Sequence, residues 1–172
     1  MSSVYKSSED VTETVNLLTS ILVRYPEIST INFNPEKKTL KLNFIFADVL
    51  EESELKSLQE FIRDSIEAYN MLERKKANIL KISSQIIESL TIIQIERDID
   101  TLVQGEIALI IQSLHQAGKT NIITENPETF YEDDLKFQEE MIEAMLENVK
   151  SCNKGKPLFA FRADGRVLVF NK

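Results

Sequence analysis

Apolar positions along the chain follow two periods, one typical of helices and one typical of strands. In four segments the apolar residues recur every three or four positions, which places them on one face of a helix. Elsewhere apolar and polar residues alternate, as they do in strands with one buried face. The pattern predicts helices over residues 8–25, 51–76, 101–117 and 129–150, hairpins over residues 28–46 and 157–170, and strands over residues 79–86 and 90–98.

The segment at residues 78–99 fits both periods. Ile82 and Ile86 have the spacing that would continue the second helix. However, the segment is rich in β-branched residues, and Thr91, Ile93 and Ile95 fall at every second position as in a strand. We therefore predict two strands here, with a continued helix as the alternative.

Turn residues and apolar matching predict the register of both hairpins. Asp164 and Gly165 suit the positive φ angles of a type I′ turn. In the first hairpin, pairing Asn34 with Thr39 brings the apolar residues of the two strands opposite one another. The predicted pairs are Phe33 with Leu40, Ile31 with Leu42, Phe161 with Leu168 and Phe159 with Phe170.

The order of elements, α-ββ-α-ββ-α-α-ββ, predicts an α+β fold. We expect a mostly antiparallel sheet of about six strands built from hairpins, with the four helices largely over one face. A chain of 172 residues is close to the usual size of one domain, so we expect a single globular domain over residues 1–172. Residues 1–7 are expected to form a disordered tail.

Composition excludes several classes of protein. Apolar residues make up 42% of the chain, with only 4 Gly and 4 Pro, which excludes collagen-like and disordered chains. We expect a cytoplasmic protein with no membrane partner, because no apolar run approaches the roughly 18–20 residues of a membrane span and the N-terminus lacks a secretory core. With one Cys and one His in the chain, we expect no disulfide, no metal site and no cofactor.

The chain has a formal net charge of -8, and its charged residues are distributed unevenly along the sequence. Residues 125–147 hold nine acidic residues and one base, whereas residues 148–172 hold six bases and one acid. An acidic chain does not favour nucleic-acid binding, which needs clustered cations. On the fourth helix Glu139, Glu143 and Glu147 repeat every four residues, which indicates either a solvated face or a docking surface for a basic protein partner.

Three groups of residues were considered as catalytic motifs, and none of them is complete. Gly118-Lys119-Thr120 resembles the end of a P-loop, but the first glycine of that motif falls on Ser113, and a helix ends here where a P-loop helix begins. Cys152 and His115 have no local sequence that supports a nucleophile–base pair.

The third motif lies at the end of the fourth predicted strand. Asp98-Ile99-Asp100-Thr101-Leu102 resembles the D-x-D-x-T-L of haloacid dehalogenase-type phosphatases, with one residue missing before the threonine. We interpret the two acids as the end of the strand, and Thr101 with Gln104 as a capping box of the third helix. The alternative is a ligand or divalent-metal site formed by Arg97, Asp98 and Asp100.

No catalytic residue is predicted, which favours a non-enzymatic cytoplasmic interaction or regulatory domain that forms a homodimer. The C-terminal hairpin is apolar on both faces and the third helix on more than one side, so we expect one of them in the interface. The alternative is a small ligand-binding protein or a divalent-metal-dependent enzyme that uses carboxylates near Asp98 and Asp100. The predicted interaction face comprises Glu139, Glu143, Glu147, Leu158, Val167 and Val169.

Overall fold

Helices and hairpins alternate along the chain in the computed structural model, which describes residues 2–117, 122–124, 132–151 and 155–171. Each hairpin follows a helix, and two helices precede the last hairpin. The elements are α1 (Ser2–Arg24), β1 (Thr30–Asn34), β2 (Thr39–Phe46), α2 (Glu52–Leu72), β3 (Leu80–Ile87), β4 (Leu90–Asp98), α3 (Gln104–Gln116), α4 (Glu132–Val149), β5 (Leu158–Ala163) and β6 (Arg166–Asn171).

The six strands form one sheet in the order β3-β4-β2-β1-β5-β6. All five pairs of neighbouring strands are antiparallel. Three of these pairs are hairpins, and the other two, β1 with β5 and β2 with β4, join the hairpins side by side. The predicted α+β fold with an antiparallel sheet is therefore confirmed. The strands β3 and β6 form the two edges of the sheet.

The predicted hairpin registers are confirmed. In the first hairpin Phe33 lies opposite Leu40, and in the last Phe161 lies opposite Leu168. The φ angles of Asp164 and Gly165 are 52° and 73°, as the last turn requires. The segment that fitted both periods forms β3 and β4 rather than a continued helix, and Ile82 lies opposite Ile95 in this pair.

The helices cover one face of the sheet, and burial along the strands alternates accordingly. In β2, Leu40, Leu42, Phe44 and Phe46 are fully buried, whereas the intervening Lys41 and Ile45 are partly exposed. Helix α1 packs on β1, β5 and β6, and α2 packs on β3. Helix α3 contacts both α2 and α4, which explains its apolar residues on more than one side without a second subunit.

Several helix boundaries differ from the predictions. Helix α1 begins at Ser2 rather than residue 8, and α2 ends at Leu72, where Arg74 adopts a positive φ of 58°. The predicted capping box is wrong, because α3 begins at Gln104 after the N-cap residue Val103.

Among the described residues, no helix combines the length and the hydropathy needed to cross a bilayer.

Candidate interaction surface

The end of β4 carries a buried charge cluster rather than an open site. Arg97 is fully buried, and its guanidinium contacts the side chains of Glu106, Asp98 and Thr101. Its Nε and Nη2 atoms donate to the two carboxylate oxygens of Glu106 in α3 at 2.6 and 2.8 Å. Its Nη1 atom lies 2.5 Å from Asp98 Oδ1 and 2.9 Å from Thr101 Oγ1. The two-point contact with Glu106 is the strongest geometry available to an arginine–carboxylate pair.

Asp98 has both of its oxygens in hydrogen bonds. Its Oδ1 accepts the backbone N–H groups of Asn78 and Ile79, and its Oδ2 accepts the backbone N–H and the hydroxyl of Thr101. These contacts tie the start of β3 and the loop before α3 to the end of β4. A carboxylate with this many donors is already satisfied, so these contacts explain its position without a ligand.

The surroundings of Asp98 also determine its pKa. Burial on its own raises the pKa of this carboxyl, but the Thr101 hydroxyl, the Ile79 backbone N–H and the Arg97 guanidinium together outweigh burial and lower it below the usual 3.8. A depressed pKa in the folded state contributes stability above the unfolded-state value, and that contribution is lost as the pH falls through the folded-state value. The contribution of the ionised Asp98 carboxylate to stability is therefore present at neutral pH.

Asp100 lies apart from the buried cluster. About half of its side chain is exposed, and its nearest cation is Lys38 at 3.9 Å. Within the described residues no three His, Cys, Asp or Glu side chains come close enough together to hold a metal ion. The ligand or metal role of Arg97, Asp98 and Asp100 stays a prediction, and the contacts of Arg97 and Asp98 have a complete structural explanation.

The glutamates of the predicted interaction face on α4 have partners within the chain. Glu139 Oε1 lies 2.6 Å from Arg24 Nη2 of α1. Glu143 Oε2 accepts the backbone N–H of Gln104 at 2.8 Å, so α4 caps the first turn of α3 from outside that helix. Glu147, which is largely exposed, pairs with Lys150 at 2.7 Å. The first two thus stabilise helix packing.

The apolar residues of the predicted interaction face lie on the helix-covered side of the C-terminal hairpin. The interaction role of Leu158, Val167 and Val169 stays a prediction. Leu158 is 4% exposed and both valines pack on the core, because β5 pairs with β1 and Leu158 continues the buried row from Phe33. The helix-covered face of the hairpin is the one that carries these residues.

The exposed face of the C-terminal hairpin carries an aromatic patch. Phe159, Phe161 and Phe170 form a row in which successive ring centroids are 5.5 Å apart. Phe170 is 53% exposed and Leu168, opposite Phe161, is 39% exposed. We call Phe159, Phe161, Leu168 and Phe170 the aromatic patch. It lies at the β6 edge of the sheet, on the face that the helices leave uncovered.

The middle of the same uncovered face is polar and internally hydrogen-bonded. Asn43 Nδ2 donates to Asn32 Oδ1 at 3.2 Å, and Gln94 Nε2 donates to Asn43 Oδ1 at 2.9 Å. These amides cross three neighbouring strands and line a shallow concavity of about 730 Å³. A polar row of this kind suits contact with water. The aromatic patch is therefore the part of this face that is unusual for a solvated surface.

Of the other residues considered from the sequence, the structure describes His115 alone. The imidazole of His115 is 56% exposed, and its Nε2 lies 2.9 Å from Glu27 Oε2 at the surface. Cys152 and the segment Gly118-Lys119-Thr120 lie outside the described residues.

Two partners of the buried cluster were missed from the sequence. Neither Glu106 nor Asn70 was singled out from the sequence, yet Asn70 Nδ2 donates to Glu106 Oε1 at 2.7 Å. The sequence feature that could have identified Glu106 is its position next to Ile107. Both residues lie on the buried face of α3, where an acidic side chain requires a partner.

Comparison of the chain with protein-family models, with curated proteins and with solved structures finds no match.

Proposed function

We propose that this protein is a non-enzymatic, cytoplasmic interaction domain that forms a homodimer through its C-terminal hairpin. The observation that carries the proposal is the aromatic patch at the free β6 edge, where Phe170 is more than half exposed. Contiguous exposed apolar surface on a folded chain is typical of binding sites, and aromatic residues are enriched in interfaces. The interface of the proposal lies on the face opposite to Leu158, Val167 and Val169.

The edge strand itself supports a second copy as the occupant. Strand β6 has the sequence RVLVFN, with Arg166 at its start as the one charged residue. Free edges usually carry inward charges, proline or bulges that prevent pairing, and β6 has neither proline nor a charge in its middle. Antiparallel pairing of β6 with β6 about a twofold axis would satisfy both edges with identical contacts.

Such pairing also brings the two aromatic patches together. In each copy Phe170 and Leu168 point to the uncovered face of β6, next to Phe159 and Phe161 of β5. Joining two sheets edge to edge would place the two patches side by side on one continuous surface. The rings nearest the twofold axis would then contact one another across the new strand pair, as cross-strand aromatic neighbours do.

The alternative of a carboxylate-based enzyme or ligand-binding protein has less support. It relied on Arg97, Asp98 and Asp100, and two of these three side chains are buried in hydrogen bonds and ion pairs. We therefore propose a stabilising role for Arg97 and Asp98.

Replacing Phe170 with alanine is expected to weaken the dimer at least tenfold in dissociation constant. Truncation of a central aromatic residue of an interface costs about 2 kcal/mol or more, and a twofold interface contains the residue twice. Sedimentation equilibrium of the wild type and the variant measures the change. Phe137→Ala is the matched control, because Phe137 is 62% exposed on α4 and outside the proposed interface.

The two variants distinguish the proposed interface from other dimers. Unchanged far-UV circular dichroism would show that Phe170→Ala remains folded. Equal dissociation constants for wild type and Phe170→Ala would overturn the proposal, as would a larger loss in Phe137→Ala.

A further inference from the structure

Helices α1 and α4 leave an apolar groove between them on the outer side of the helical layer. The groove has a volume of about 410 Å³, and its lining includes Val23 from α1 with Phe137 and Met141 from α4. These three side chains are 43%, 62% and 39% exposed. Phe137 and Met141 are four residues apart, so they lie one above the other on the same side of α4. We call this the α1–α4 groove.

Exposed acidic side chains lie next to Phe137 on α4, and one of them, Asp134, lines the α1–α4 groove. Helix α4 has seven acidic residues and one lysine. Asp133, Asp134 and Glu140 are exposed, and none of them has an ion pair with another described residue, whereas Glu139 and Glu147 are ion-paired and Glu143 accepts a backbone N–H. Positions 133, 134 and 140 are three or four residues from Phe137, which places these acids around its ring.

We propose that the α1–α4 groove binds a basic amphipathic helix of a partner protein. An apolar groove between two helices accepts the apolar face of a third, and the flexible side chain of Met141 adapts to different side chains there. The unpaired carboxylates specify the charge of the partner: lysine or arginine residues that flank its apolar stripe would meet Asp133, Asp134 and Glu140. Complementary charge of this kind increases the rate of association and the specificity of binding.

The charge also argues against two other occupants. An anionic membrane surface would be repelled by the acids around the groove. A second copy of this chain would present another acidic α4 if it docked symmetrically, and like charges would face each other. The proposal is independent of the dimer, because the groove lies on the helical layer and the aromatic patch lies on the uncovered face of the sheet.

A designed peptide tests the proposal directly. The probe is a fluorescently labelled amphipathic helix of about 18 residues, built from leucine and lysine, and the control peptide carries glutamate in place of lysine. Fluorescence anisotropy at about 0.15 M salt should show saturable binding of the lysine peptide and no binding of the glutamate peptide. Phe137→Ala should raise the dissociation constant at least about tenfold, and Asp134→Asn about threefold.

The variant Phe170→Ala is the matched control, and it should bind the lysine peptide as the wild type does. Equal affinity of the lysine peptide for wild type and Phe137→Ala would overturn the proposal, because it would reduce binding to general charge attraction. Absence of binding to the wild type would overturn it too. A loss of dimer in Phe137→Ala, measured by light scattering, would assign the groove to a second copy instead.

Discussion

Replacing Arg97 with methionine is expected to lower the free energy of unfolding by about 3–5 kcal/mol. The side chain is fully buried, and its removal would leave the carboxylates of Glu106 and Asp98 without their cation. Glu106 is itself fully buried, so water cannot replace the lost contacts. Urea unfolding of the wild type and the variant, at equal chain concentration, measures the difference.

A second substitution separates loss of the cation from loss of packing. In the double variant Arg97→Met with Glu106→Gln, the buried carboxylate is also neutral, and we expect it to be more stable than Arg97→Met alone. A loss of less than about 1 kcal/mol in the single variant would contradict the assigned role, since that is the range of exposed ion pairs.

Replacing Ile93 with alanine is expected to cost about 2–5 kcal/mol, whereas Ile92→Ala should cost about 1 kcal/mol at most. The two residues are neighbours in β4, and the strand points them to opposite faces of the sheet. Ile93 is fully buried under the helices, whereas Ile92 lines the concavity on the uncovered face. Ile92→Ala is the matched control for Ile93→Ala, because both variants make the same chemical change in the same strand. Equal losses measured by urea unfolding would contradict the assignment of the faces.

The sequence was sufficient to predict those features that local pattern determines. Alternation in residues 79–98 identified two strands, and Asp164-Gly165 fixed the register of the last hairpin. Pairing of Asn34 with Thr39 was correct because one register alone brought the apolar residues of both strands to one face. The antiparallel sheet then follows from the order of the hairpins.

Features that depend on distant residues could not be obtained in the same way. The last hairpin is apolar on both faces, so alternation identifies its two faces but not which is buried. That choice depends on β5 pairing with β1, which continues the buried row from Phe33 to Leu158. As a result the sequence did not identify Phe170 and Leu168 as the residues on the exposed face of the hairpin.

The buried charges show the same limitation. Arg97 and Asp98 stand out in the sequence because charged residues end a strand of apolar character. Their partner Glu106 comes from α3, and the Asn70 amide that also contacts Glu106 comes from α2. The acids of α4 also obtain their roles from distant groups, such as the backbone N–H of Gln104 that Glu143 accepts. Sequence spacing within one helix contains no information about such contacts.

The molar mass of the wild-type chain in solution tests the central proposal most directly. Light scattering at micromolar concentration and ordinary salt is expected to give twice the 19.8 kDa mass of one chain, because in our proposal the β6 edges of two copies pair with each other. A mass of 19.8 kDa under these conditions would contradict the proposed homodimer.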